Sequence, residues 1–249
     1  MSETTKGDTA TVVLVHGAFA DASSWNDVIG RLQAKGVAVV APANPLRGIA
    51  IDSAYIAAVL EQIDGRVVLV GHSYGGAVIT NAATAAGNVV GLVFVAAFAP
   101  EEGERLGEVA AASKDSILGS VQVARHYPSG AGEQAQEFFI DAAGFRDAFA
   151  ADLPADVTAV MAAAQRPVAE LAFSEPNGAP AWKDLPSWAV VATADKAAGT
   201  DITRSMAERA GAKITEVDGS HVIMVSQPQA VTDVILEAVK ATSSEPAVA

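Results

Sequence analysis

"RVVLVGHSYGGAVI", residues 66–79, runs a valine-rich stretch into two glycines around a serine and then into a segment of small and β-branched residues. Read forward, it is a buried strand, a sharp turn and a helix. Gly71 and Gly75, two residues before and after Ser73, let the backbone bend tightly enough to hold the serine at the end of the strand with its Oγ outward. A G-x-S-x-G by itself arises often by chance. The strand before it and the helical segment after it are the context such a turn requires.

Working outward, other short apolar runs alternate with alanine-rich segments. The strand candidates are "TVVLVHG" (11–17), "GVAVVAP" (36–42), "RVVLVGH" (66–72), "VVGLVFVAA" (89–97), "PSWAVVATAD" (186–195) and "AKITEVDG" (212–219). Apolar residues follow one another in these runs, as in strands covered on both faces. Helices are expected over 24–35, 51–62, 74–86, 201–210 and 228–241, the last with Pro228 in its first turn. The fold class is therefore α/β, a mostly parallel sheet of about six strands flanked by helices. Between Pro100 and Pro186 no apolar run stands out, and "HYPSGAG" and "SEPNGAPAWKDLP" break the pattern. An all-helical insertion is expected at 101–185, with a core of 11–100 and 186–241 and flexible tails at 1–10 and 242–249.

The 249 residues carry 16 basic and 29 acidic side chains, a formal charge of −13, with no basic block. Nucleic acid is thus not expected as a partner, because phosphate neutralisation needs clustered Lys and Arg. Anionic membrane is disfavoured for the same reason. With no cysteine there is no disulfide, thiolate nucleophile or Cys-based metal site. The first ten residues lack the apolar stretch of a signal peptide, and no apolar run is long enough to span a bilayer. A cytoplasmic monomer or homodimer is expected.

A serine hydroxyl needs a base, a group to orient that base, and donors for the developing oxyanion. The chain has four histidines. His72 adjoins the serine and should point away from it. His16 is expected to shape the loop after the first strand, and His126 falls in the insertion. His221, in "DGSHVIMVSQP" (218–228), follows the last strand at the sheet edge that carries Ser73, so it is the candidate base. Asp195 directly follows the strand "SWAVVATA" and is the best-placed acid. Asp201 is a rival and reads otherwise as a helix cap; Asp218 is a second rival and reads otherwise as a turn residue. Backbone N–H groups of Tyr74 and of Ala18, with Phe19 second, are the candidate oxyanion donors. Phe19, Phe98, His126, Phe138, Trp182 and Val222 are candidates for contacting a substrate.

Together these features resemble the α/β-hydrolases. "VHGAFADASSW" (15–25), "GHSYGG" (71–76) and "DGSHVIMVSQPQAV" (218–231) are similar to small bacterial esterases and to plant methyl-salicylate esterases and hydroxynitrile lyases. The resemblance implies Ser73 as nucleophile, Asp195 as acid, His221 as base, Ala18 and Tyr74 at the oxyanion, a cap at 101–185, and neither metal nor organic cofactor. The implied substrate is a carboxylic ester or lactone; the alanine-rich composition of 101–185 and the aromatics concentrated there, Phe149 and Phe173 among them, predict a small, mainly apolar one. Perhydrolase or haloperoxidase-like chemistry on the same triad, or ligand binding with little turnover, are the alternatives the scaffold allows. Gly17 and Val222 stand where hydroxynitrile lyases of this type carry threonine and lysine, which argues against cyanohydrin cleavage. After the acid, the family often continues D-x-x-I-P; this chain reads "DKAAGT" (195–200), which implies a looser loop.

Overall fold

The computed structural model describes residues 10–130 and 132–243. The main sheet has six parallel strands in the order β2-β1-β3-β4-β8-β9. In chain order, β1 (Thr11–Val15), α1 (Asn26–Ala34), β2 (Val39–Val40), α2 (Ile49–Leu60), β3 (Val67–His72), α3 (Tyr74–Ala85) and β4 (Val89–Val95) form the first half. The chain returns to the sheet with β8 (Ser187–Ala192), α9 (Thr200–Arg209), β9 (Lys213–Val217), α10 (Ile223–Ser226) and α11 (Pro228–Ala241). All six expected strands are present. That at 36–42 is paired over only two residues, at one edge of the sheet. The valine runs of β1, β3, β4 and β8 are almost wholly buried, as continuous apolar strands between helical layers must be.

Residues between β4 and β8 depart from the all-helical expectation. They contain α4 (Leu106–Ala111), α5 (Leu118–Val121), β5 (Gln122–Gly130), β6 (Glu133–Ile140), α6 (Ala142–Phe149), α7 (Ala155–Ala164), β7 (Val168–Ala169) and α8 (Leu171–Ser174). β5, β6 and β7 form a separate antiparallel sheet. The physical reason is exposure. β5 is largely solvated and β6 buries only Glu137 and Ile140, so they show no long apolar run, and "HYPSG" (126–130) is the end of β5 itself. Gly130, which ends β5, and Gly132 have φ of 109° and 82°. Pro128 sits in β5, the outer strand, where its missing N–H is tolerated. Arg47 fastens the hairpin to the core, pairing with Glu137 at 2.9 Å and stacking over the Tyr127 ring at 4.5 Å.

The expected tails at 1–9 and 244–249 lie outside the described residues. Ala10 and Thr242, also expected to be loose, are ordered: Ala10 is buried and Thr242 Oγ1 donates to the Ala238 carbonyl at 2.8 Å. Among the described residues no helix is long and apolar enough to cross a membrane.

Candidate active site

β3 ends at His72 and α3 begins at Tyr74, so Ser73 alone makes the turn, with φ 53° and ψ −124°. Such angles are rare for a residue with a side chain and persist only where the surroundings enforce them. The enforcement is visible. A Cβ on Gly71 would stand 2.5 Å from the Gly75 carbonyl oxygen, and one on Gly75 would stand 2.6 Å from that of Val15. The two glycines are therefore needed for close backbone approach, and Ser73 absorbs the strain between them.

His221 lies between β9 and α10, and its Nδ1 is 2.8 Å from Asp195 Oδ2, both side chains being buried. Asp195 leaves β8 and is oriented by its own loop: Oδ1 accepts from the N–H groups of Ala197 and Ala198 at 2.9 and 3.0 Å. The loop after the acid is not loose. Residues 113–117, between α4 and α5, grip it through Ser116 Oγ to the Ala197 carbonyl (2.6 Å) and Ile117 N to the Lys196 carbonyl (2.9 Å). Ser113 Oγ and Lys114 N both donate to the Asp201 carboxylate, at 2.6 and 2.8 Å. This web takes the place of a rigid Ile-Pro. The rival acids are engaged elsewhere, Asp201 as just described and Asp218 with Thr193 Oγ1 at 3.3 Å.

Ser73, His221, Ala18, Tyr74, Phe19 and Phe98 line one cavity of about 20 Å³, with Phe149 and Phe173 among its other walls. Tyr74 opens α3, so its N–H has no partner within the helix, and the positive end of the helix dipole meets the cavity there. Other candidates lie elsewhere. His126 is exposed on β5, where it pairs with Gln136. Trp182 is buried with Nε1 donating to the Pro100 carbonyl at 3.1 Å, and Val222 is buried in the core. Phe138 borders a neighbouring cleft instead. His126, Trp182 and Val222 are thus kept from the Ser73 cavity by exposure or by burial, whereas Phe138 lines the cleft beside it.

Several supporting groups carry no signal in the sequence. His72, expected to point away, packs its ring against His221 with centroids 4.6 Å apart. Its Nε2 lies 3.0 Å from the His221 carbonyl. Since a carbonyl only accepts, Nε2 carries the proton; complete burial, with the neighbouring His221 adding to it, holds the imidazole well below its ordinary pKa. His16 Nε2 accepts from Asn44 N at 3.0 Å and its Nδ1 faces the Gly17 carbonyl at 2.9 Å. Burial depresses it to about 4, so it is neutral and pins the Gly17-Ala18 loop. Tyr74 Oη donates to the buried Asp52 at 2.8 Å, and Arg47 N donates to the same carboxylate. Asp152, which follows α6, accepts from both the N–H and the hydroxyl of Ser220, next to His221.

A family model described as "Alpha/beta hydrolase family" matches residues 12–234. No curated protein matches the sequence. Among solved structures, polyneuridine aldehyde esterase is similar with a TM-score of 0.78 at 20% identity, over 92% of this chain and 98% of that one. A tomato methylketone synthase variant gives 0.77 at 20%, over 94% and 99%. A pyrethroid hydrolase from Sphingobium faniae gives 0.73 at 18%, over 93% and 98%. At such identities the likeness is one of fold.

Proposed function

The chain belongs to the alpha/beta hydrolase family, and from that premise we propose that it is a serine hydrolase of carboxylic esters or lactones. The observation that carries the reading is the buried 2.8 Å contact of His221 Nδ1 with Asp195, on a histidine that lines the same cavity as Ser73. Fold alone does not choose a reaction, since structures of this shape bear the names of a synthase as well as of esterases.

In this reading Ser73 Oγ attacks the substrate carbonyl while His221 Nε2 takes its proton. Asp195 holds the ring in the Nδ1–H tautomer and offsets the imidazolium charge. The N–H groups of Ala18 and Tyr74 receive the oxyanion. His221 then protonates the leaving alcohol, and the acyl group stays on Ser73. Water deprotonated by His221 attacks that acyl-enzyme, and collapse releases the acid and restores Ser73. Residues 101–185 act as a cap over the carboxyl edge of the sheet. Apolar walls from Phe19, Phe98, Phe149 and Phe173 favour a mainly apolar substrate.

A fluorophosphonate probe tests this directly. The native protein should label rapidly at one site and Ser73→Ala should not label; a native protein that resists the probe refutes the nucleophile.

A further inference from the structure

The cavity that holds Ser73 and His221 has room for about one water molecule. An ester carbonyl brought to Ser73 must therefore have its remaining atoms somewhere else. Immediately outside lies a cleft of about 710 Å³ between α4 and α5 on one side and β6 and α8 on the other, within the size range of small-molecule sites. Ala110, Leu118 and Phe173 border both spaces. They form a partition one side chain thick. The ring of Phe173 stands 6.4 Å from that of Tyr74 and 6.2 Å from that of Phe138. Tyr74 belongs to the inner cavity and Phe138 to the outer cleft, so an aromatic row crosses the partition with Phe173 at its middle.

We infer that the outer cleft binds the bulky, uncharged apolar part of the ester, and that Phe173 is the specificity-determining residue through which the reacting carbonyl passes to Ser73. The charges at the cleft do not call for a charged ligand. Arg105 Nε donates to the Ser174 carbonyl at 2.9 Å and its guanidinium lies 3.9 Å from Glu108, leaving a rim with Glu170 that repels a second carboxylate. Behind that rim Ala110, Ala111, Ile117, Leu118, Phe138 and Phe173 give the cleft a mainly apolar lining, with serines and Gln122 between them. Phe173 rides on a helix of only four residues, and α4 lies close against it. A Cβ on Gly107 would come 3.2 Å from the Phe173 carbonyl oxygen. The inference rests on the hydrolase reading and specifies which esters that site takes.

Gly119 gives the test. It borders the outer cleft only, it is not at positive φ, and a Cβ there would meet nothing within 4 Å. Gly119→Phe therefore places a large side chain on the cleft lining without forcing the backbone. Hydrolysis of methyl acetate, methyl octanoate and octyl acetate is followed by acid release, so that either end of the ester can report. Native enzyme should prefer at least one eight-carbon ester, and Gly119→Phe should cut that preference by about tenfold or more. Ala111→Trp, at the end of α4 on the same side of the cleft, should do the same if the first variant folds poorly. Phe173→Ala should change the ratio of kcat/KM between long and short esters. Native activity with an unchanged ratio in the Gly119 and Ala111 variants overturns the cleft and leaves the hydrolase. A native protein that turns over none of the three esters and resists a fluorophosphonate overturns the hydrolase reading, and the cleft assignment with it.

Discussion

The hydroxyl of Ser116 donates to the carbonyl oxygen of Ala197 at 2.6 Å, and the N–H of that same Ala197 donates to Asp195 Oδ1 at 2.9 Å. A residue from the segment between β4 and β8 is thus one peptide unit away from the carboxylate that orients His221. Removing the hydroxyl leaves the Ala197 carbonyl short of a partner and loosens the turn around the acid. A hydrogen bond of this kind contributes about 1 kcal/mol, which corresponds to about a fivefold rate change if it is lost in the transition state. Ser116→Ala should therefore lower kcat several-fold, and Ser116→Thr should restore part of it. Steady-state kinetics on methyl acetate read both values.

Exchange of the acid itself should be far more severe. Asp195→Asn keeps the size of the side chain but presents an amide where His221 Nδ1–H needs an acceptor, favouring the wrong tautomer. Loss on the order of 10³ to 10⁴ in kcat is expected. Asp201→Asn disturbs the contacts with Ser113, Lys114 and Ile202 N and should lose about tenfold or less. Parallel kinetics of the two variants decide the assignment, and a reversal of their order would give the role to Asp201.

His16 predicts a pH dependence of stability. Its imidazole has an ordinary pKa of 6.5 unfolded and about 4 in the fold, because burial penalises the cation. Between those values the unfolded chain binds a proton that the native protein does not. Stability from this group is thus fully present above about pH 6.5 and is lost as pH falls toward 4. By pH 5 the loss from this one group is about 2 kcal/mol relative to pH 7. Urea unfolding at the two pH values should show it. His16→Gln, which keeps an acceptor for Asn44 N but does not titrate, should reduce the difference by about that amount.

Legibility divided along physical lines. Strands covered on both faces announce themselves by unbroken valine, which is why β1, β3, β4 and β8 were readable. The β5–β6 hairpin buries few side chains, Glu137 and Ile140 among them, and was not. The placement of Ser73, Asp195 and His221 in the loops after β3, β8 and β9, at one sheet edge, was legible because chain order reveals it. The contacts that hold them were not. Asp152 meets Ser220, and Ser116 meets Ala197, across 68 and 81 positions of sequence, and serine and aspartate are common surface residues. Phe149 and Phe173 gave an aromatic signal without an address, since only the packing of α6 and α8 decides which rings reach the cavity.

His72 supplies the last prediction. Its Nε2–H is the buried donor to the main-chain oxygen of His221, and its ring packs on the imidazole that would accept the Ser73 proton. His72→Leu approximates the volume but deletes the donor, leaving the His221 carbonyl unpartnered in a dry site, at a cost of about 1–3 kcal/mol in stability. His72→Gln can offer an N–H in its place and should recover part of that loss. A purely structural role would lower the melting temperature alone. A role in positioning His221 should also lower kcat and shift the acid limb of its pH profile, because the environment of the His221 ring changes with its backbone. Thermal unfolding together with kcat measured from pH 5 to 9 separates the two. A destabilised His72→Leu enzyme with an unaltered kcat and pH profile would mean that the role of His72 is structural alone.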